Sequence, residues 1–189
     1  MIIMIAGKKG SGKDFVANLL RGKLRGYTEI EKFAQPLKRI ITILTGYDSD
    51  DIESLKRIDR RFSVGIKEYN MRELMQTLAT ECIRDTFSKD IFSEYMLRKI
   101  KRNQNTIISD WRFVNEYELI KNNTEQSVYT ILVKEPEEDD SDKHISENDL
   151  NDFNFDFIFY NDKKKPLIEV DIDLLAVYNK IKGSESEKE

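Results

Sequence analysis

Cysteine occurs once in this chain, at Cys82, and histidine once, at His144. A single cysteine excludes an internal disulfide framework and any multi-cysteine zinc site. A single histidine excludes a multi-histidine metal centre. No run of about 18 apolar residues occurs, so a membrane-spanning helix is excluded. The opening Met1–Gly7 segment is too short for the apolar core of a secretion signal and lacks a basic leader, so a cytoplasmic location is expected. Arginine is absent after Arg112. Glycine is scarce, with 8 in 189 residues, yet Gly7, Gly10 and Gly12 fall within six positions.

The chain has 22.3 kDa of mass, which suits one domain with a single core. Its net charge of -4 is unevenly placed: residues 1–112 carry +7 and residues 113–189 carry -11. Such asymmetry fits a nucleic-acid partner or one small, highly charged anion held by the basic part. The motifs favour the anion.

Ile2–Ala6 is a short apolar run closed by glycines, which predicts a buried strand. The spacing of Phe15, Val16, Leu19, Leu20 and Leu24 predicts a helix over 13–25. Tyr27–Phe33 reads as a second strand, and Pro36 opens a helix that Gly46 stops. Residues 48–67 are charged and poorly periodic, and a mobile helical segment is expected there. Asn70 with Glu73 forms a capping box for a helix reaching about Phe87. A helix over 89–102, a strand at Thr106–Ser109 and a helix over 113–122 follow. Strands at Val128–Val133 and Phe155–Tyr160 then precede a helix over 171–182. Strands alternating with helices predict an α/β fold with a parallel sheet. The expected organisation is a single domain over 1–182, with inserted helices at about 47–102, a lid-like acidic loop at about 134–150 and a disordered tail over 183–189.

Gly7-Lys8-Lys9-Gly10-Ser11-Gly12-Lys13 matches G-x-x-x-x-G-K between a predicted strand and a predicted helix, the context a phosphate loop requires. Backbone N–H groups of Gly7, Gly10, Ser11 and Gly12, with the positive end of the helix dipole, would hold phosphate oxygens. Lys13 would reach the β- and γ-phosphates. Asp14 stands where Ser or Thr usually ligates magnesium. It could ligate the metal directly or through water, or orient an acceptor. No N-K-x-D motif marks a GTPase and no L-S-G-G-Q motif marks a transporter. A small-molecule kinase using ATP and Mg2+ remains.

Further along, Asp110 closes an apolar strand where open α/β sheets place ligands, and is a candidate metal ligand or an N-cap. Arg112 could clamp a phosphate or pair with Glu116. Arg72, Gln76 and Thr80 share one face of a continuous α-helix, either a reading face or a solvated one. Trp111 is expected in the core, with base stacking as the alternative.

The phosphate loop ending Lys13-Asp14-Phe15 resembles that of phage-type deoxynucleoside monophosphate kinases. So do Phe33–Lys38, the Arg72–Glu81 helix, the Ile108–Glu116 segment, the His144–Glu147 turn and Phe157–Asp162, in that order. The resemblance implies a P-loop NTPase, three-layer α/β/α, with a five-stranded parallel sheet of the nucleoside monophosphate kinase type. It implies transfer of the ATP γ-phosphate to a deoxynucleoside 5′-monophosphate, a small-molecule substrate. Lys38, Arg72, Gln76, Thr80, Asp110 and Arg112 would then bind the acceptor, and Lys13, Asp14 and Arg112 would act in transfer. Asp14 and Asp110 would hold magnesium. The missing late arginine leaves the cation for transfer to Lys134, Lys143, Arg84, Arg98 or Arg102. No stable nucleic-acid or membrane partner is expected, and a homodimer is open. Phosphomevalonate kinases share the loop and the D-x-R segment and are the nearest rival; a non-catalytic nucleotide-binding regulator is the second.

Overall fold

The computed structural model describes residues 1–136, 150 and 152–186. The chain divides into two compact units, one of residues 1–32 and 96–189 and one of residues 33–95. The lid-like loop, with His144 and Glu147, falls almost wholly outside the described residues.

The first unit is built on a five-stranded sheet. Its strands are β1 (Ile2–Ala6), β2 (Thr28–Glu31), β5 (Asn105–Ile108), β6 (Val128–Lys134) and β7 (Phe157–Tyr160). Their spatial order is β2-β5-β1-β6-β7, and every neighbouring pair is parallel. β1 is central and reads as a continuous apolar run because both of its faces are covered. Ile2, Ile3, Met4 and Ile5 have no exposed surface. On one face Ile3, Ile5, Ile107, Ile131, Val133 and Phe159 pack with α1 (Lys13–Lys23) and the C-terminal helix α7 (Leu167–Ser186). Those helices supply Val16, Ala17, Leu20, Val170, Leu174 and Ile181. Each such isoleucine or leucine contributes about 1.5–3 kcal/mol on burial. Ile2, Met4 and Ile108, on the opposite face, are equally buried, as is Ile120 of α6 (Val114–Asn122). The parallel sheet with flanking helices is the fold the alternating pattern predicted.

α7 begins four residues before the expected start and continues to Ser186, through the stretch read as a tail. The second unit holds α2 (Gln35–Thr45), α3 (Ser49–Leu55), β3 (Phe62–Val64), β4 (Lys67–Tyr69) and α4 (Met71–Thr77). Gly46 ends α2 at φ 76°, a left-handed conformation that disfavours a Cβ. The segment expected to be helical throughout is therefore one short helix followed by an antiparallel hairpin, in which Val64 pairs with Lys67. Asn70 caps α4 as expected: its side chain accepts from the Glu73 N–H at 2.9 Å, and Glu73 accepts from the Asn70 N–H at 3.0 Å. The helix does not run on as α. Leu78–Arg84 is a π-helical stretch, in which the Asp85 N–H donates to the Thr80 carbonyl. α5 (Ile91–Lys99) then carries the chain back into the first unit.

Candidate active site

The carboxyl ends of β1 and β5 lie side by side at the centre of the sheet. The crossover from β1 leads to β2 on one side, and that from β5 leads to β6 on the other. Ligands of open α/β sheets collect at such a reversal. Residues 7–12 leave β1 here and enter α1.

The loop's glycines meet specific steric demands. Gly7, Gly10 and Gly12 adopt φ of 148°, 88° and 89°, a region that L side chains avoid. A Cβ on Gly7 would lie 2.3 Å from the Val133 carbonyl oxygen, and one on Gly12 would lie 2.2 Å from the Asn161 amide nitrogen. Gly12 is the N-cap of α1 and supplies no side-chain acceptor, which leaves the helix N-terminus open. The Ser11 hydroxyl is buried, with no partner among the described residues. Lys13 folds back over the loop, its ammonium donating to the Gly7 carbonyl and, at 2.7 Å, to the Lys8 carbonyl.

Asp14 joins three elements. Its Oδ1 accepts from the Ser109 hydroxyl at 2.8 Å and pairs with the Lys32 ammonium at 2.7 Å. Lys32 directly follows β2, and Ser109 directly follows β5. Partial burial works to raise the Asp14 pKa. The hydrogen bonds from Lys32 and Ser109, with the charges of Lys32 and Lys13, outweigh it and hold the carboxyl below its usual range. Asp110 follows Ser109 at the same sheet edge. Lys32 was missed from sequence because nothing in the local pattern marks it.

Glu116 caps the start of α6. Its buried carboxylate accepts from the backbone N–H groups of Arg112 at 3.1 Å and Phe113 at 3.2 Å. That holds the turn carrying Asp110 and Arg112 against the start of α6. Trp111 is 1% exposed and packs with Tyr117, Phe153 and Phe155, and its indole N–H donates to the Phe113 carbonyl at 2.7 Å. It belongs to the core, so the base-stacking alternative is withdrawn.

In the second unit, Lys38 and Lys56 both engage Glu53, Lys56 at 3.0 Å, and the Arg72 Nε donates to the Lys56 carbonyl at 2.8 Å. Lys38 and Arg72 are thus joined through Glu53 and Lys56 in one cationic cluster. Arg72 and Gln76 lie one turn apart on α4, and Thr80 lies in the π-helical stretch that follows. Arg84 stacks over the Phe92 ring at 5.0 Å and donates to the Lys89 carbonyl at 3.0 Å, while Arg102 faces Glu125 on the surface of the first unit.

Burial works to raise the Glu53 pKa, but hydrogen bonds from Lys38 and Lys56 bring it down to about 2. Glu53 therefore contributes stability above its unfolded pKa of about 4.5, lost as pH falls toward 2. We expect wild-type protein to be more stable than Glu53→Gln at neutral pH, with the difference shrinking over that window. Urea unfolding of both proteins across pH 2–6 checks this. The carboxylate is partly exposed, so salt will reduce the difference.

Magnesium takes oxygen ligands and keeps several waters, needing only one or two carboxylates beside substrate phosphates. Among the described residues no group of three or more His, Cys, Asp or Glu gathers to hold a metal. The oxygen-only set of Asp14 and Asp110 at the sheet edge fits such a phosphate-shared ion. No described helix is long and apolar enough to cross a membrane.

No curated protein matches the chain. Among solved structures, the chain is similar to the APS kinase of Mycobacterium tuberculosis in complex with AMPPNP and APS. Identity is 12%, with 96% of each chain covered and a TM-score of 0.49. It is similar to shikimate kinase from Bacteroides thetaiotaomicron at 11% identity, covering 96% of this chain and 98% of that one, with a TM-score of 0.48. Both likenesses are in outline only. The model of the deoxynucleotide monophosphate kinase family matches residues 42–169, about two-thirds of the chain. That match takes in Arg72, Gln76, Asp110 and Arg112 and begins after the phosphate loop, so loop and match are independent observations. The family match shows that this chain belongs to the deoxynucleotide monophosphate kinase family, and it is a small-molecule kinase by family.

Proposed function

We propose that the chain transfers the γ-phosphate of ATP to the 5′-monophosphate of a deoxynucleoside, giving ADP and a deoxynucleoside diphosphate. The observation that carries this reading is the glycine loop between β1 and α1, whose left-handed residues and open helix N-terminus suit a polyphosphate, within a chain of this family. Phosphoryl transfer needs positioning and charge neutralisation more than covalent help. The loop N–H groups hold the donor phosphates, and Lys13 moves from the Gly7 and Lys8 carbonyls onto them. Magnesium, when bound, neutralises developing phosphate charge, and Asp14 and Asp110 are the carboxylates that would hold it. Lys32 and Ser109 keep Asp14 ionised and oriented. Arg112 grips phosphate through its planar guanidinium. Lys38 and Arg72 contribute positive charge for the acceptor monophosphate, and Gln76 and Thr80 supply polar groups for its base. The setting is the cytoplasm, with no stable nucleic-acid partner.

Product-resolved assays with MgATP and a panel of dAMP, dCMP, dGMP, dTMP, the matching ribonucleotides and phosphomevalonate test this. A deoxynucleoside diphosphate product is expected. Turnover of phosphomevalonate alone, or no product while ATP still binds, would overturn the reading.

A further inference from the structure

Asn161 directly follows β7, on the far side of β6 from β1, and is 4% exposed. Its backbone N–H donates to the Lys134 carbonyl at 2.8 Å, continuing the β6–β7 pairing by one residue. Its side chain leaves the sheet edge and enters the phosphate loop, where Nδ2 donates to the Ser11 carbonyl at 2.8 Å. The amide occupies the space that a Cβ on Gly12 would need. Gly12 is therefore required twice, for its φ of 89° and for the room it leaves Asn161.

In a trans peptide the carbonyl of one residue and the N–H of the next point in opposite directions. No cis peptide occurs among the described residues. Fixing the Ser11 carbonyl on Asn161 therefore aims the Gly12 N–H away from Asn161. That N–H has no protein acceptor among the described residues, and it stands at the N-cap of α1. The bond spans 150 positions of sequence, so the loop's own residues do not determine this peptide's orientation.

We infer that Asn161 is a positioning residue for the donor nucleotide: its amide sets the Ser11–Gly12 peptide so that the Gly12 N–H is presented to a phosphate oxygen. This rests on the reading of the loop as an ATP site. Without the amide donor the peptide is free to rotate, and the phosphates lose one oriented hydrogen bond. In Asn161→Asp an ionised carboxylate faces the Ser11 carbonyl, and repulsion drives the peptide the other way. A hydrogen bond to a charged group sets the scale, so ATP affinity should fall about 10- to 100-fold in both Asn161→Ala and Asn161→Asp.

Calorimetric titration of MgATP and of inorganic tripolyphosphate into full-length wild type and both variants, well below each melting temperature, reads this directly. The expected result is a parallel loss of affinity for both ligands. A purely structural role would lower the melting temperature and leave anion affinity unchanged, and that result overturns the proposal. Nuclear magnetic resonance on the wild type stands independently of how the variants fold. Saturating tripolyphosphate should shift the Gly12 amide proton downfield while the Asn161 side-chain amide stays protected from exchange. An unmoved Gly12 amide beside a shifted Lys13 amide overturns the proposal. If the wild type binds neither ATP nor tripolyphosphate, the nucleotide reading of the loop itself fails, a result distinct from variants that bind as tightly as wild type.

Discussion

Replacing Lys13 with methionine is expected to lower kcat at least about a thousandfold, the scale on which a cation or oriented donor contributes to phosphoryl transfer. Methionine keeps most of the side chain's length and removes only the ammonium. In the folded protein that ammonium rests on the Gly7 and Lys8 carbonyls, which belong to the loop and not to the buried sheet. Stability should therefore change by less than about 1 kcal/mol. Thermal melts beside steady-state rates separate the two effects. A variant that retains a tenth or more of wild-type kcat would show that the ammonium does not serve the transferring phosphate.

Gly7→Ala should act through folding instead. The new Cβ would sit 2.3 Å from the Val133 carbonyl oxygen, and that carbonyl is backbone of β6, the direct neighbour of β1. No flexible side chain is available to move aside. The φ of 148° adds conformational strain. Together they should destabilise the protein by about 3 kcal/mol or more, a fall in Tm of roughly 6–12 °C for a chain of this size. Gly46→Ala is the matching control, since Gly46 has a left-handed φ of 76° but nothing near its Cβ position, and its loss should be smaller. Equal melting temperatures for the two variants would contradict the steric origin assigned to Gly7.

What could be seen in the sequence was local. The run Ile2–Ala6, the glycines and the lysine lie within twelve positions, so strand, loop and helix start could be aligned by inspection. The Asn70 and Glu73 capping box is equally short-range and was found for that reason. Features that depend on distant partners were not legible. Asn161 reaches Ser11 across 150 positions, and Lys32 meets Asp14 only because β2 lies beside β5 and β5 beside β1 in the order the sheet adopts. The β3–β4 hairpin escaped because each strand has three residues and none of the six is buried, too short a stretch for a strand period to stand out. The start of α7 was obscured because Leu167, Ile168 and Ile172 are exposed while Val170 and Leu174 are buried, which leaves apolar residues on both faces and blurs the helical period. The shift to π-helix after Thr77 has no signal in the propensities of Leu78–Arg84.

The central claim is transfer between nucleotides, as opposed to ATP hydrolysis. It is tested most directly by following the label from [γ-32P]ATP in a single turnover with magnesium and the best acceptor of the deoxynucleotide panel. The expected result is labelled deoxynucleoside diphosphate appearing at the rate of ADP, with no ADP formed when the acceptor is omitted. Label recovered as inorganic phosphate, at a rate indifferent to the acceptor, would contradict it.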